Sequence, residues 1–388
     1  MKKYNFDNIV DRKKTGSYKW NIAKEDFIPL WVADMDFRIS DEITEALDMR
    51  ANQGAFGYPM IPLEYYEAEI LWWKKRFNTD IKKEWIQGVT GVIPALSSLV
   101  PTFCEKGDGV IIQTPVYNHF HMSIEKNGAS ILFNDLLLEN DKYVIDFENF
   151  EELASREDTK LFILCNPHNP IGRCWTAEEL KRLGDICLKH NVIVISDEIH
   201  RDLVFKGYKH IPFLSVSGVF KEISITCTSP SKTFNLAGLR VANMVIPNKT
   251  LFDKVNKLIM THEVAGTSVF GVSGLIAAYK YGDSWLEQLM EYLDGNRKYL
   301  IKYLKKELPD IWIADLEGTY LMWVDISKYV NDVENIQKDM LKKTKVLINP
   351  GENYSNKAKK FIRINIATNR ETLEEGLKRI VNYLKEKN

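Results

Sequence analysis

Lys232 stands in the run Thr228-Ser229-Pro230-Ser231-Lys232-Thr233-Phe234-Asn235-Leu236-Ala237-Gly238-Leu239-Arg240, with small hydroxyl side chains around it and an arginine eight positions on. A lysine among apolar and hydroxylic neighbours loses its proton more readily than one in water, and a neutral amine adds to an aldehyde as a Schiff base. Ser229, Ser231 and Arg240 are the donors a phosphate takes. A lysine that takes an aldehyde beside a phosphate site points to pyridoxal phosphate. By itself, a Lys next to Ser and Thr is also the composition of a solvated turn.

Other residues of pointed chemistry lie upstream and downstream. Gly88-Val89-Thr90-Gly91-Val92-Ile93-Pro94 reads as a turn entering a helix. Gly91, Val92 and Ile93 there either present backbone N–H groups to an anion or simply join a loop to a helix. Asn169, held between Pro167 and Pro170, either suits a hydrogen bond to a phenolate oxygen or belongs to an ordinary proline-flanked turn. Asp197 closes the apolar run Val192–Ser196. A carboxylate against a pyridine nitrogen keeps it protonated and makes the ring an electron sink, and a carboxylate in this place can equally cap a helix. Tyr117 offers a face for stacking on a planar ring. His200 reads either as a polarising group or as a packed core histidine. His119 and His121 do not share a helix face and have no third ligand spaced nearby, so no metal site is expected. Arg363, in Phe361-Ile362-Arg363-Ile364-Asn365-Ile366, is either a guanidinium fork for a carboxylate or an arginine on the wet face of a strand. The alternation leaves both open.

Elements that must position these residues follow from the pattern of the chain. Its 388 residues suit two to three domains, and 45% apolar with 27% charged residues is ordinary globular composition. A net charge of −1 supplies no field for nucleic acid or anionic membrane. Cys104, Cys165, Cys174, Cys187 and Cys227 are scattered without a C-x-x-C pair and read as reduced core residues. The first residues turn polar at once, and no run is long enough to span a bilayer, so a cytoplasmic protein is expected.

From about residue 90 to 245, helical patterns alternate with short apolar runs. Ile93–Phe103 reads as a helix, and Gly109–Gln113, Lys160–Leu164 and Val192–Ser196 read as strands. Thr176, with Glu179 three residues later, makes a capping box for a helix running to His190. Continuous apolar strands between helices predict an α/β fold with a mainly parallel sheet covered on both faces. Ligands of such sheets bind beyond the carboxyl ends of the strands, where Tyr117, Asn169, Asp197 and Lys232 fall. After residue 282 the texture changes to charged helices (Trp285–Leu308, Val333–Lys343, Glu371–Lys385) around short strands such as Tyr320–Val324. The expected division is 46–282 for a large domain, with 1–45 and 283–388 forming a smaller one. Pro29–Asp36 reads as a loop with little sheet character.

Taken in order, these motifs resemble the fold type I pyridoxal phosphate enzymes, the aspartate aminotransferase superfamily, over nearly the whole chain. The phrases Pro29-Leu30-Trp31-Val32-Ala33-Asp34-Met35-Asp36-Phe37, Asn166-Pro167-His168-Asn169-Pro170, Ser196-Asp197-Glu198-Ile199-His200 and Ser231-Lys232-Thr233-Phe234-Asn235 are similar to those of the MalY/PatB cystathionine β-lyase group. The resemblance implies a seven-stranded-type sheet sandwiched by helices. It implies that Lys232 binds the cofactor aldehyde and moves the Cα proton, Asp197 pairs with the ring nitrogen, Asn169 with the ring oxygen, and Tyr117 stacks on the ring. His200 belongs to the same cofactor set. Ser229, Ser231, Arg240 and the backbone at Gly91, Val92 and Ile93 would hold the phosphate. Arg363 would bind the substrate carboxylate with help from Ala33 and Asp34. Tyr58 would reach the phosphate of a second subunit, which implies a homodimer with shared sites. Relatives commonly carry Phe-Gly where this chain has Tyr354-Ser355, close to the substrate side chain. The expected activity is β-elimination on cystathionine or a related cysteine S-conjugate. Aminotransfer is the alternative, and a regulatory protein contact alongside lyase activity is a second one.

Overall fold

The structure, a computed structural model, describes residues 2–8, 10–22, 26–262, 266–331 and 335–387. Seven strands make the main sheet: β1 (Ile86–Val89), β2 (Gly109–Thr114), β3 (Ser130–Asp135), β4 (Thr159–Cys165), β5 (Ile193–Asp197), β6 (Ser224–Thr228) and β7 (Ala242–Val245). Their order is β1-β7-β6-β5-β4-β2-β3. The pairs from β6 to β3 are parallel, whereas β7 runs antiparallel to both β1 and β6. Every residue of β2 and of β6 is buried, as strands covered by helices on both faces must be. This is the mainly parallel sheet that the apolar runs predict.

The helix Ala177–Lys189 begins on the expected capping box: Glu179 N donates to Thr176 Oγ1 at 3.2 Å, and Thr176 N donates to Glu179 Oε2 at 2.8 Å. Leu180, Leu183, Ile186 and Cys187 fall on its buried side, packed against the sheet. The helix Val92–Phe103 starts at Gly91 without a side-chain cap, so its first amide groups stay directed at the carboxyl ends of the strands.

A second, antiparallel sheet holds β8 (Trp312–Ile313), β9 (Leu321–Asp325), β10 (Asn349–Pro350) and β11 (Phe361–Asn365) in the order β8-β9-β11-β10. Helices Asp283–Glu307, Ile336–Thr344 and Arg370–Lys387 accompany it. The helix expected from Val333 begins at Ile336, after Asn335 in a left-handed conformation (φ 58°), and Asp332–Glu334 lie outside the described residues. One expectation is corrected. Ile28–Pro29 is not free of sheet structure but pairs in parallel with Val346–Leu347, Ile28 N donating to Lys345 O and Leu30 N to Leu347 O, each at 2.8 Å. Two paired residues are too few to show any alternation in the sequence. Among the described residues no helix is long and apolar enough to cross a membrane.

Candidate active site

Loops at the carboxyl ends of β2, β4, β5 and β6 open onto one cavity of about 600 Å³, which β11 and the 31–33 segment close from the other side. Its lining contains every site residue expected from the sequence except Asp34 and Tyr58.

Lys232 lies on the short helix Pro230–Thr233, directly after β6, with Ser229 as its cap. Its Nζ donates to Ala33 O at 2.6 Å. Burial lowers the amine to about 8, with Arg363 acting in the same direction while Asp34 and Asp197 oppose it. The lysine is therefore partly neutral near physiological pH, the form that adds to an aldehyde.

Asp197 is buried at the end of β5, and its Oδ1 accepts from Ile199 N at 3.1 Å. No helix follows it, so the carboxylate caps a turn and not a helix, and it lines the cavity. Burial pushes the carboxyl up to about 7, with Glu198 adding to the rise. A cationic partner would recover the lost solvation. Glu198 faces away, joined to Ser196 Oγ, His210 Nε2 and Phe213 N at 2.9, 3.0 and 2.9 Å. His200 is buried, edge-on to the Tyr320 ring with centroids 6.0 Å apart. Burial holds its imidazole well below the usual value, and the charges of Lys232 and Arg363 do the same, so it is neutral at pH 7.

Arg363 is only 2% exposed, which excludes the wet-face reading. Nη1 donates to Asn169 Oδ1 at 2.9 Å and Nη2 to Trp31 O at 2.8 Å. The guanidinium lies 5.0 Å from the centre of the Tyr354 ring, whose hydroxyl accepts from Asn349 Nδ2 at 3.1 Å. Asn169 thus does more than the sequence indicates: its carbonyl orients the arginine while the residue also lines the cavity. Tyr117, from the loop after β2, is largely buried against the cavity, and burial raises its phenol to about 12.

The same lining holds the uncapped helix start after Gly91 together with Ser229, Ser231 and Arg240. Ser229 Oγ donates to Val241 O at 2.6 Å and accepts from Ser231 N at 3.1 Å, so its proton is already committed. Arg240 adopts a left-handed backbone, φ 54°, and keeps its side chain exposed.

Two expected residues stand elsewhere. Asp34 does not line the cavity; its carboxylate is held by Arg12, and the neighbouring Ala33 carbonyl reaches Lys232 instead. Tyr58 is fully exposed, outside the cavity. Trp31, Asn349, Arg12 and Lys19 are supports that the sequence reading did not single out. Trp31 had a signal in the Pro29–Phe37 phrase, but it acts through a backbone carbonyl that carries no residue-type mark, and Asn349, Arg12 and Lys19 lie outside that phrase. Among the described residues no group of three or more His, Cys, Asp or Glu is placed to hold a metal ion.

The donor set fits pyridoxal phosphate. One cavity lining brings together anion donors, a buried carboxylate suited to a pyridinium, an aromatic ring, a side-chain amide and a lysine of lowered basicity.

Residues 25–380 match the model of the aminotransferase class I and II family. The chain is 42% identical over 381 residues to cystathionine beta-lyase PatB of Bacillus subtilis, an alignment covering 97% of this chain and 98% of the relative. Protein MalY of Escherichia coli is 32% identical, with 98% and 99% covered. The solved structure of the pyridoxal phosphate-bound C-S lyase from Staphylococcus hominis has a TM-score of 0.94 at 38% identity, covering 98% of each chain.

Proposed function

The chain belongs to the aminotransferase class I and II family, and from that we propose that it is a pyridoxal phosphate-dependent carbon–sulfur β-lyase. Its reaction converts L-cystathionine and water to L-homocysteine, pyruvate and ammonia, or treats a related L-cysteine S-conjugate in the same way. One observation carries the reading: a lysine amine lowered to about 8 shares a cavity with a buried carboxylate and an oriented guanidinium. The relatives named for C–S bond cleavage favour elimination.

Lys232, Asp197, Asn169, Tyr117, His200, Ser229, Ser231, Arg240 and the amides of Gly91, Val92 and Ile93 are the residues that would hold the cofactor. When bound, the cofactor supplies an electron sink that acidifies the substrate Cα–H and lets a thiolate depart from Cβ. Arg363 would bind the α-carboxylate through its fork and so orient the substrate Cα toward Lys232. Lys232 Nζ, neutral above about pH 8, takes the Cα proton. Neutral His200 adds no competing charge beside it. The buried walls contributed by Trp31 and Tyr354 limit water around Arg363, which strengthens its hold on an anion.

Transamination shares the loss of the Cα proton and is the second reading, since the family takes its name from that reaction. Purified enzyme with cystathionine should release pyruvate and a free thiol in equal amounts. Amino-group transfer to a keto acid without either product contradicts the lyase reading.

Three further elements belong to the same proposal. Tyr58, Phe56 and Met60 are all exposed and apolar in part, which supports a homodimer in which Tyr58 meets the partner's phosphate. The pairing of Ile28–Pro29 with Val346–Leu347 supports joining residues 1–45 to 283–388 as a smaller domain beside 46–282. The unpaired cysteines, of which Cys165, Cys174, Cys187 and Cys227 are buried, support a cytoplasmic setting.

A further inference from the structure

Five consecutive backbone carbonyls, Trp31 to Met35, all accept side-chain hydrogen bonds. Trp31 O receives Arg363 Nη2 at 2.8 Å, and Ala33 O receives Lys232 Nζ at 2.6 Å. Val32 O takes Asn365 Nδ2 at 2.7 Å, and Asp34 O takes Asn365 Nδ2 and Lys19 Nζ, both at 2.9 Å. Met35 O receives Arg12 Nη1 at 2.8 Å and Asn235 Nδ2 at 3.1 Å. The two functional cations of the cavity therefore rest on one strip of backbone.

That strip is held from the amino-terminal side. Arg12 grips both carboxylate oxygens of Asp34, Nη1 to Oδ1 at 3.0 Å and Nη2 to Oδ2 at 2.7 Å. Both side chains are about four-fifths buried, at 21% and 22% exposure, so the pair is not a loose surface contact. Behind it, fully buried Lys19 meets Asp36 Oδ2 at 2.8 Å while Trp20 Nε1 donates to Asp36 Oδ1 at 2.7 Å.

We propose that Arg12 is a positioning residue of the active site: its fork on Asp34 and Met35 O keeps the 31–35 strip in register with Lys232 and Arg363, and its charge offsets that of Asp34 toward Lys232. The inference rests on the cofactor reading above. After burial, Asp34 is the largest influence on the Lys232 amine, and it holds the proton on. The other groups facing that amine are Asp197, which also favours the proton, Arg363, which opposes it, and neutral His200. Removing Arg12 leaves Asp34 uncompensated, and removing the Asp34 charge does the reverse. The two changes must move Lys232 in opposite directions, whereas a purely structural pair would not give opposite signs.

The test is a pH titration of the visible band of the holoenzyme, combined with kcat and KM for a cysteine S-conjugate. Arg12→Gln is expected to raise the midpoint by about half a pH unit, and Asp34→Asn to lower it by about as much. Arg12→Lys keeps the charge but loses the fork, so its midpoint stays near the parent value while KM rises about fivefold through the loosened Trp31–Arg363 contact. Midpoints of Arg12→Gln and Asp34→Asn that stay put, or shift the same way, overturn the proposal. If Arg12→Gln gives no folded holoenzyme, the other two variants decide: a lowered midpoint in Asp34→Asn with an unmoved one in Arg12→Lys supports it, and any other pair overturns it. Should the parent protein show no visible band with pyridoxal phosphate, the proposed function fails instead, a distinct outcome.

Discussion

At Arg363 the difference between a fork and a point charge becomes measurable. Its two terminal nitrogens are already aimed by Asn169 and Trp31, and a lysine can satisfy only part of that geometry. Arg363→Lys should raise KM for an amino-acid substrate at least about tenfold, since it weakens a bidentate carboxylate contact. An unchanged KM contradicts the carboxylate role. Asp197 is testable through stability. Burial lifts it to about 7 from 3.8 in the unfolded chain. Below pH 3.8 both states hold the proton, and the group is neutral to stability. As pH rises toward 7 the unfolded chain releases a proton that the folded chain keeps, so stability falls, and the penalty is complete above 7. The cofactor-free Asp197→Asn protein should therefore melt higher than its parent at pH 8, by a margin that shrinks toward pH 5. A margin that grows on acidification refutes this account. Residue types marked Lys232, Asp197 and Tyr117 plainly, because their chemistry lies in side chains. Ala33 and Trp31 were harder to read, since what they offer is a carbonyl oxygen that every residue has.

Gly184 shows how an element is held. It lies within the helix Ala177–Lys189, where glycine costs about 1 kcal/mol relative to alanine. A Cβ there would overlap the Phe220 ring, which is fully buried and stacked on Phe213 with centroids 5.0 Å apart. Overpacking of about 1–3 kcal/mol or more outweighs the propensity gain, so Gly184→Ala should lower stability in denaturant unfolding without changing KM. A stabilised variant would show that the ring yields. Strands β2, β4 and β5 and the helix Ala177–Lys189 were legible to within a residue, because apolar runs and the Thr176–Glu179 box mark them directly, whereas β3, β6 and helices such as Lys249–Thr261 were not singled out. The antiparallel direction of β7 was not legible, as strand direction leaves no trace in side-chain alternation. Arg363 stayed ambiguous for a related reason: only the burial of every residue from Ile362 to Asn365 shows that both faces of β11 are covered.

Across the whole molecule, the cavity gathers loops far apart in sequence, from residue 31 to residue 363. The order of motifs along the chain made this assembly readable. Tyr58 is the exception, since the role proposed for it needs a second copy. Sedimentation should show a dimer, and Tyr58→Ala should weaken pyridoxal phosphate binding about tenfold through loss of one phosphate contact. A monomer with full activity would contradict shared sites. The account as a whole rests on covalent attachment at one nitrogen. The protein, incubated with pyridoxal phosphate, reduced with borohydride and digested, should carry the pyridoxyl mass on the peptide containing Lys232, with both that mass and pyruvate production lost in Lys232→Ala. An adduct confined to another lysine, or undiminished cystathionine cleavage by Lys232→Ala, would contradict it.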